Sequence, residues 1–238
     1  GEGESTPTAK NLRGRAVLVF DGAGVVETSE YDFKGNPVTW ERTLATTYTS
    51  EPDWTAVASS ATISAALSAA GSSLESESWS KAFAFDALNR VTSATMPDAS
   101  EVKPTYNEAS LLAKVEVRIR GASGWTTFVD DIDYDAKGRR ERIDYGNGTY
   151  TEYSYDPLSQ RLTRLRTTRT SDSKKLQDLK YWYDAVGNIV ELQDDAHQDV
   201  YFNNSVVSPT QKYEYDAIYR LVSASGREQQ QLPSAPVQ

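Results

Sequence analysis

Tyr134-Asp135-Ala136-Lys137-Gly138 sets an aromatic residue before an aspartate and puts a glycine three positions further on. An aspartate carboxylate can accept hydrogen bonds from backbone N–H groups two or three residues ahead, closing an Asx-type turn. Glycine three positions later supplies the left-handed conformation that ends a tight hairpin turn. The aromatic ends the incoming strand and packs against side chains of a neighbouring strand. The stretch predicts a β-hairpin turn with a strand on each side.

The arrangement recurs along the chain. Aromatic–Asp or aromatic–Asn pairs also stand at Phe20-Asp21, Tyr31-Asp32, Phe85-Asp86, Tyr106-Asn107, Tyr155-Asp156, Tyr183-Asp184 and Tyr215-Asp216. With Tyr134-Asp135 in its place, the third residues on are Gly24, Gly35, Asn89, Ser110, Gly138, Ser159, Gly187 and Tyr219. An apolar residue follows in most copies: Val25, Val38, Val91, Leu111, Leu162, Ile189 and Leu221. From Asp86 the turns at Asn107, Asp135, Asp156 and Asp184 come after successive steps of 21, 28, 21 and 28 positions. A period of this length marks stacked supersecondary units, here one hairpin each.

A second kind of turn is expected between units. Asn147-Gly148 is a two-residue hairpin signal, flanked by Arg142-Ile143-Asp144-Tyr145 and Thr151-Glu152-Tyr153-Ser154-Tyr155, which alternate as one-sided strands do. Lys180-Tyr181-Trp182-Tyr183 and Lys212-Tyr213-Glu214-Tyr215 run as strands into their turns. Residues 56–80 break the pattern: they are rich in Ala and Ser, and Ile63, Leu67 and Leu74 lie near helical spacing. Thr62–Ala70 is predicted as a short helix or loop insertion. Residues 1–10 and 229–238 are expected to be flexible ends around a repeat region over 11–228.

Composition agrees with a thin, two-faced sheet. Among 238 residues there are fourteen Tyr and five Trp against six Phe and one Met, and rings with a polar tip suit half-buried positions. A net charge of −9 argues against a general binder of nucleic acid or anionic membrane. The basic stretch Arg161, Arg164, Arg166 and Arg169 and the acidic one Asp130, Asp131, Asp133 and Asp135 read as solvated strand faces. Without cysteine there is no disulfide, thiolate zinc site or cysteine nucleophile. No apolar run reaches transmembrane length, and the polar start has no signal-peptide core.

Longer strings carry a resemblance to a family. Asn11-Leu12-Arg13-Gly14, Asp21-Gly22-Ala23-Gly24-Val25-Val26, Tyr31-Asp32-Phe33-Lys34-Gly35-Asn36 and Pro104-Thr105-Tyr106-Asn107-Glu108 are four of them. Tyr201-Phe202-Asn203-Asn204, Asp216-Ala217-Ile218-Tyr219-Arg220-Leu221 and Ser225-Gly226-Arg227-Glu228 are three more. On these the chain resembles the RHS/YD-repeat family, most closely the shell-forming B and C subunits of bacterial insecticidal toxin complexes. The resemblance implies a mainly β fold in which consecutive antiparallel YD hairpins form a curved sheet, an arc of a hollow shell. It also implies a job: confining and protecting a toxic effector polypeptide before delivery. The implied partners are the remainder of the shell, the effector and a pore-forming subunit, all secreted, with no nucleic acid and no direct membrane insertion. Shells of this family that release cargo carry an aspartyl autoprotease with a DPxGL-like string. Asp156-Pro157-Leu158-Ser159 lacks the Gly-Leu, so self-cleavage is not carried over.

No catalytic, cofactor or metal residue is expected, and the chain is not read as an enzyme. His197, the sole histidine, has no nucleophile-elbow sequence to pair with and reads as a solvated turn residue. Asp131, Asp133 and Asp135 could share one strand face as a Ca²⁺ site, but Ala136 and Arg142 stand where an EF-hand loop needs Gly and Glu. Asn147-Gly148-Thr149 and Asn203-Asn204-Ser205 fit the glycosylation pattern. Two rival functions stay open. One is a carbohydrate or cell-surface binding module, if Trp54, Trp79, Trp125 and Trp182 cluster on one surface. The other is a hydrolase with an unidentified carboxylate pair.

Overall fold

The computed structural model describes residues 1, 4, 6–202 and 204–227. Asn203, Glu228 and the tail expected over 229–238 lie outside the described residues. The chain is mainly β and divides into two compact units.

The first unit comprises Gly1–Tyr106 and Val115–Thr126. Its strands are β1 (Leu18–Asp21), β2 (Gly24–Tyr31), β3 (Pro37–Ala45), β4 (Leu74–Phe85), β5 (Val91–Thr95) and β6 (Glu101–Tyr106), each antiparallel to the next. β7 (Leu112–Arg118) contributes residues to both units. The second unit holds β8 (Thr126–Tyr134) from its second residue on, β9 (Arg140–Tyr145), β10 (Thr149–Tyr155), β11 (Leu162–Arg169), β12 (Lys174–Tyr183) and β13 (Ile189–Asp194), again paired antiparallel in chain order. β14 (Val200–Phe202) and β15 (Ser205–Val207) form a separate two-stranded hairpin. β16 (Gln211–Tyr215) then rejoins β13, and β17 (Leu221–Ser225) pairs with β16.

Strand lengths account for the 21 and 28 steps. Short strands such as β9 and β10, six and seven residues, fill the 21-residue step, and β11 and β12, eight and ten residues, fill the 28-residue one. The core between the two faces is thin. Leu12, Val17, Val25, Ala45, Ala70, Ala94, Ile132 and Ile143 are the buried apolar side chains among the described residues. Stability must therefore lean on pairing within the sheet and on half-buried rings rather than on one large apolar centre.

Between β3 and β4 the chain leaves the sheet for two helices, α1 (Thr55–Ala58) and α2 (Ile63–Ala70). Thr62 caps α2 by accepting the Ala65 N–H at 3.1 Å, which fixes the start of the helix predicted there. The insertion expected over 56–80 is shorter than that: a 3-10 turn at Gly71–Ser73 ends it, and β4 begins at Leu74. Ala- and Ser-rich sequence does not forbid a strand where a partner is in register, and here Leu74 faces Ala45 and Trp79 faces Arg42. At the start of the chain the Lys10 carbonyl accepts the Tyr31 N–H at 3.0 Å, and Asn11 Nδ2 donates to the Tyr31 carbonyl at 2.9 Å.

Candidate functional site: the stacked YD turns

The predicted turn forms as expected in most copies. In Asp135-Ala136-Lys137-Gly138-Arg139 the carboxylate accepts the N–H groups of Lys137 and Arg139, both at 2.9 Å. The Asp135 N–H donates to the Arg139 carbonyl and the Gly138 N–H to the Asp135 carbonyl. The left-handed third residue is Gly35, Asn89, Ser110, Gly138, Gly187 or Tyr219, with φ between 63° and 111°. At Ser110 and Tyr219 a side chain bears the steric cost that glycine avoids.

Three turns depart from expectation. After Asp156 the loop is one residue longer, its N–H reaching the Arg161 carbonyl, so the left-handed residue is Gln160 (φ 63°) rather than Ser159. Phe20-Asp21 does not open a five-residue turn: Asp21 pairs directly with Gly24 around a two-residue Gly22-Ala23 loop. Asn147-Gly148 belongs to a three-residue loop, since Tyr145 pairs with Thr149 and Gly148 alone is left-handed (φ 77°). Asn147 Oδ1 accepts from the Thr149 N–H and hydroxyl, which favours the longer loop. A further turn, Met96-Pro97-Asp98-Ala99-Ser100, has the same backbone bonds with no aromatic–Asp pair, and Ala99 is its left-handed residue (φ 61°).

The tyrosines do something that sequence reasoning missed. Each YD tyrosine donates its hydroxyl to the backbone carbonyl at or just before the start of an earlier strand. The bonds run from Tyr31 to Ala16 (2.6 Å), Tyr106 to Val91 (3.0 Å), Tyr134 to Leu112 (2.7 Å), Tyr155 to Arg140 (2.9 Å), Tyr183 to Leu162 (2.7 Å) and Tyr215 to Ile189 (2.9 Å). Counted from the preceding Asp or Asn, the acceptor is the fifth residue after Asp86, Asn107, Asp135 and Asp184, and the sixth after the longer Asp156 loop. The pairing slips just before the aromatic, as between Asp133 and Tyr134, Ser154 and Tyr155, and Trp182 and Tyr183. A bulge at that point re-aims the ring out of strict alternation.

In four of the six joints the residue before the acceptor is an arginine that completes the joint. Arg90 and Arg139 clasp the second carboxylate oxygen of their own turn, Asp86 and Asp135, each at 2.7 Å. Their guanidinium groups lie over the ring of the next hairpin's tyrosine, Arg90 over Tyr106 at 4.6 Å and Arg139 over Tyr155 at 4.3 Å. Arg15 and Arg161 sit likewise over Tyr31 and Tyr183 at 5.1 and 5.6 Å. Each cation–ring contact contributes about 0.5–1 kcal/mol at an exposed site. Turns also touch along the row. Arg139 Nη1 donates to the Gln160 carbonyl at 3.3 Å, Arg161 Nη1 to the Asp184 carbonyl at 2.9 Å, and Asn36 Nδ2 to Asn89 Oδ1 at 3.1 Å. The backbone N–H bonds lower the pKa of Asp86, Asp135 and Asp216 below the ordinary carboxylate value, against a smaller opposing effect of desolvation.

The strand faces carry cross-strand ion pairs rather than loose charge. Arg164 grips Asp178 through both nitrogens at 2.6 and 2.7 Å, Lys175 adds a contact at 3.1 Å, and Asp178 is fully buried. Arg166 pairs with Glu152 across β10 and β11, while Arg169 pairs locally with Asp172 in the turn after β11; the Asp172 pKa falls to about 2, chiefly through the hydrogen bond from Arg169. His197 is exposed, with Nε2 3.7 Å from Asp194. Asp131 and Asp133 lie in β8, but Asp135 has left the strand to close its turn, so the three do not share a strand face. No cluster of three or more acidic or histidine side chains poised for a metal occurs among the described residues. Trp54 packs on Phe20 at 5.0 Å and donates to the Asp21 carbonyl, and Trp125 lies beneath Lys103 and Arg118. Trp79 and Trp182 are each about two-fifths exposed on β4 and β12 (40% and 42%).

No family model matches the chain. The toxin subunit YenC2 of Yersinia entomophaga is 30% identical over 233 residues, which are 94% of this chain and 23% of that subunit. YenC1 of the same organism is 29% identical over 236 residues, 97% of this chain and again 23% of the subunit. The chain thus spans about a quarter of the length of these curated relatives. Among solved structures, the TcdB2-TccC3 complex superposes with a TM-score of 0.77 at 28% identity, covering 97% of this chain and 11% of that one. A mutant Photorhabdus luminescens Tc holotoxin pore gives 0.76 at 29% identity, covering 94% and 10%.

Proposed function

We propose that this chain, which belongs to the RHS/YD-repeat family, is a length of wall in the shell of a secreted insecticidal toxin complex, and that the shell encloses an effector polypeptide. The observation that carries the reading is the joint repeated six times, in which a tyrosine hydroxyl bonds a backbone carbonyl of the neighbouring hairpin. Such a joint needs no side chain of the neighbour beyond the arginine that stacks on the ring in four of the six, so it can be repeated without limit along a wall. The relatives named as toxin subunits, and a solved toxin pore containing the same fold, support the same role. The task is confinement: a closed wall denies the cargo room to fold and keeps proteases out. On this reading the chain makes and breaks no bonds itself. Its partners are the rest of the shell, the effector and a pore-forming subunit.

The test is a chimera in which this chain replaces the matching 233-residue stretch of YenC2. A wall segment should leave the chimera assembled and a polypeptide carried inside it resistant to added protease. Substituting phenylalanine for Tyr106, Tyr134, Tyr155 and Tyr183 together should make that polypeptide cleavable. A well-folded chimera with cargo cut as fast as free polypeptide would refute enclosure.

A further inference from the structure

Asn147-Gly148 is the one Asn-Gly pair in the sequence, and the tyrosine joints make no use of it. It lies at the tip of the loop between β9 and β10, where Gly146, Asn147 and Gly148 are all exposed. Asn147 is held through its side-chain oxygen, which accepts the Thr149 N–H at 3.1 Å and the Thr149 hydroxyl at 2.7 Å. Asn36 and Asn188 are held by the opposite atom, donating Nδ2 to Asp32 and Asp184 at 2.7 and 2.8 Å. Pro37, which has no N–H, follows the first, and the branched Ile189 follows the second. After Asn147 comes a glycine, whose backbone nitrogen no side chain screens. Neighbouring strands grip this loop on both flanks. The Gly146 N–H donates to the Phe128 carbonyl at 3.2 Å, and the Gly148 carbonyl accepts the Thr170 N–H at 2.9 Å.

We propose that Asn147 is a site of spontaneous deamidation, a slow and one-way covalent change that loosens the grip on this loop. The Gly148 nitrogen gives its proton to water and attacks Asn147 Cγ. The N–Cγ bond forms, the Cγ–Nδ2 bond breaks, and Nδ2 takes up a proton and leaves as ammonia. Negative charge builds on Oδ1 during the attack, and both Thr149 donors are already aimed at that atom, as oxyanion donors are. The Gly148 N–H must first release the Tyr145 carbonyl, which it holds at 3.1 Å. Opening of an exposed loop is fast beside the bond chemistry that follows. Water then opens the cyclic imide, and the nitrogen regains a proton. Attack at Cγ leaves aspartate, whereas attack at the main-chain carbonyl leaves isoaspartate, with a methylene added to the backbone. In a three-residue loop that extra length carries the Gly148 carbonyl away from the Thr170 N–H. The chemistry is independent of the wall reading.

The experiment holds the intact, folded chain in mildly alkaline buffer and follows each asparagine by peptide mass, reading the gain when NH₂ gives way to OH. Chromatography separates the isoaspartate peptide from the aspartate one. Conversion is expected at Asn147 well ahead of Asn36, Asn107 and Asn188. Thr149→Val keeps a strand-favouring side chain and removes only the hydroxyl donor. It should slow conversion about fivefold, the size of one ordinary hydrogen bond. Thr149→Ser, which restores the hydroxyl, should restore the parent rate. In the isoaspartate form the Thr170 amide should exchange hydrogen faster than in the parent. Conversion at Asn147 no faster than at the other three asparagines overturns the site. Equal rates in Thr149→Val and the parent overturn the part given to Thr149, and unchanged exchange at Thr170 in the isoaspartate form overturns the loosening.

Discussion

At the scale of single residues the tyrosine hydroxyl and the turn carboxylate do separable work. Tyr155→Phe keeps the ring under Arg139 and removes only the bond to the Arg140 carbonyl. The expected loss is about 1 kcal/mol, measured as a shift in the urea midpoint without a change in slope. Asp135 holds two backbone N–H groups and a guanidinium, so Asp135→Ala should lower the midpoint further than Tyr155→Phe. Its folded pKa lies below the ordinary carboxylate value, first through the Arg139 backbone bond. A depressed folded pKa gives stability that is full above the unfolded value and lost as pH falls through the folded one. Asp86 and Asp216 add to the same window, again first through backbone bonds. Thermal melts from pH 7 to 2 should therefore be flat above about pH 5 and fall steeply below about pH 4. Asp135→Asn should make the fall shallower, and an unchanged slope would show that the carboxylate contributes nothing to it.

At the scale of elements, what could be read from sequence was what the side chains themselves specify. Asp, Asn and Gly mark the turns because their own chemistry makes them, and six of the expected copies place the left-handed residue at the third position: Gly35, Asn89, Ser110, Gly138, Gly187 and Tyr219. The tyrosine joint was not legible because its acceptor is a backbone carbonyl, and Ala16, Val91, Leu112, Arg140, Leu162 and Ile189 share no side-chain signature. The one available signal was a constant offset from the preceding turn, which only a register would reveal. The Met96–Ser100 turn escaped for the converse reason, since its backbone needs no aromatic–Asp pair. Loop length was likewise hidden at Asp156, and it yields a discriminating prediction. Gln160→Gly should stabilise by roughly 1 kcal/mol by removing a left-handed side chain, whereas Ser159→Gly should be neutral or destabilising. Between strands, Asp178→Ala strips Arg164 and Lys175 of a buried partner. Because both cations keep access to water, a loss of about 2 kcal/mol is expected, below the 3–5 kcal/mol of a wholly buried pair.

At the scale of the molecule, a thin core and nearest-neighbour joints imply that stability accumulates hairpin by hairpin, as in repeat proteins. The consequence can be put as a pair of double-mutant cycles inside the second unit. Tyr155 and Tyr215 bond different carbonyls, Arg140 and Ile189, and share no partner. Tyr155→Phe and Tyr215→Phe should therefore add to within about 0.5 kcal/mol. Arg139 and Tyr155 meet in one stack at 4.3 Å, so Arg139→Ala and Tyr155→Leu each destroy the same contact. Their combined cost should fall short of the sum by about 0.5–1 kcal/mol, the size of the cation–ring term. A chain that folded around one shared centre would behave otherwise, since loosening either tyrosine would weaken the support of the other and the distant pair would couple too. Coupling of about 1 kcal/mol or more between Tyr155 and Tyr215 would thus contradict a wall built from independent joints, however well each joint is formed. Additivity for the distant pair together with coupling in the stacked one is the pattern such a wall requires, because each hairpin then holds its neighbour by the same local means.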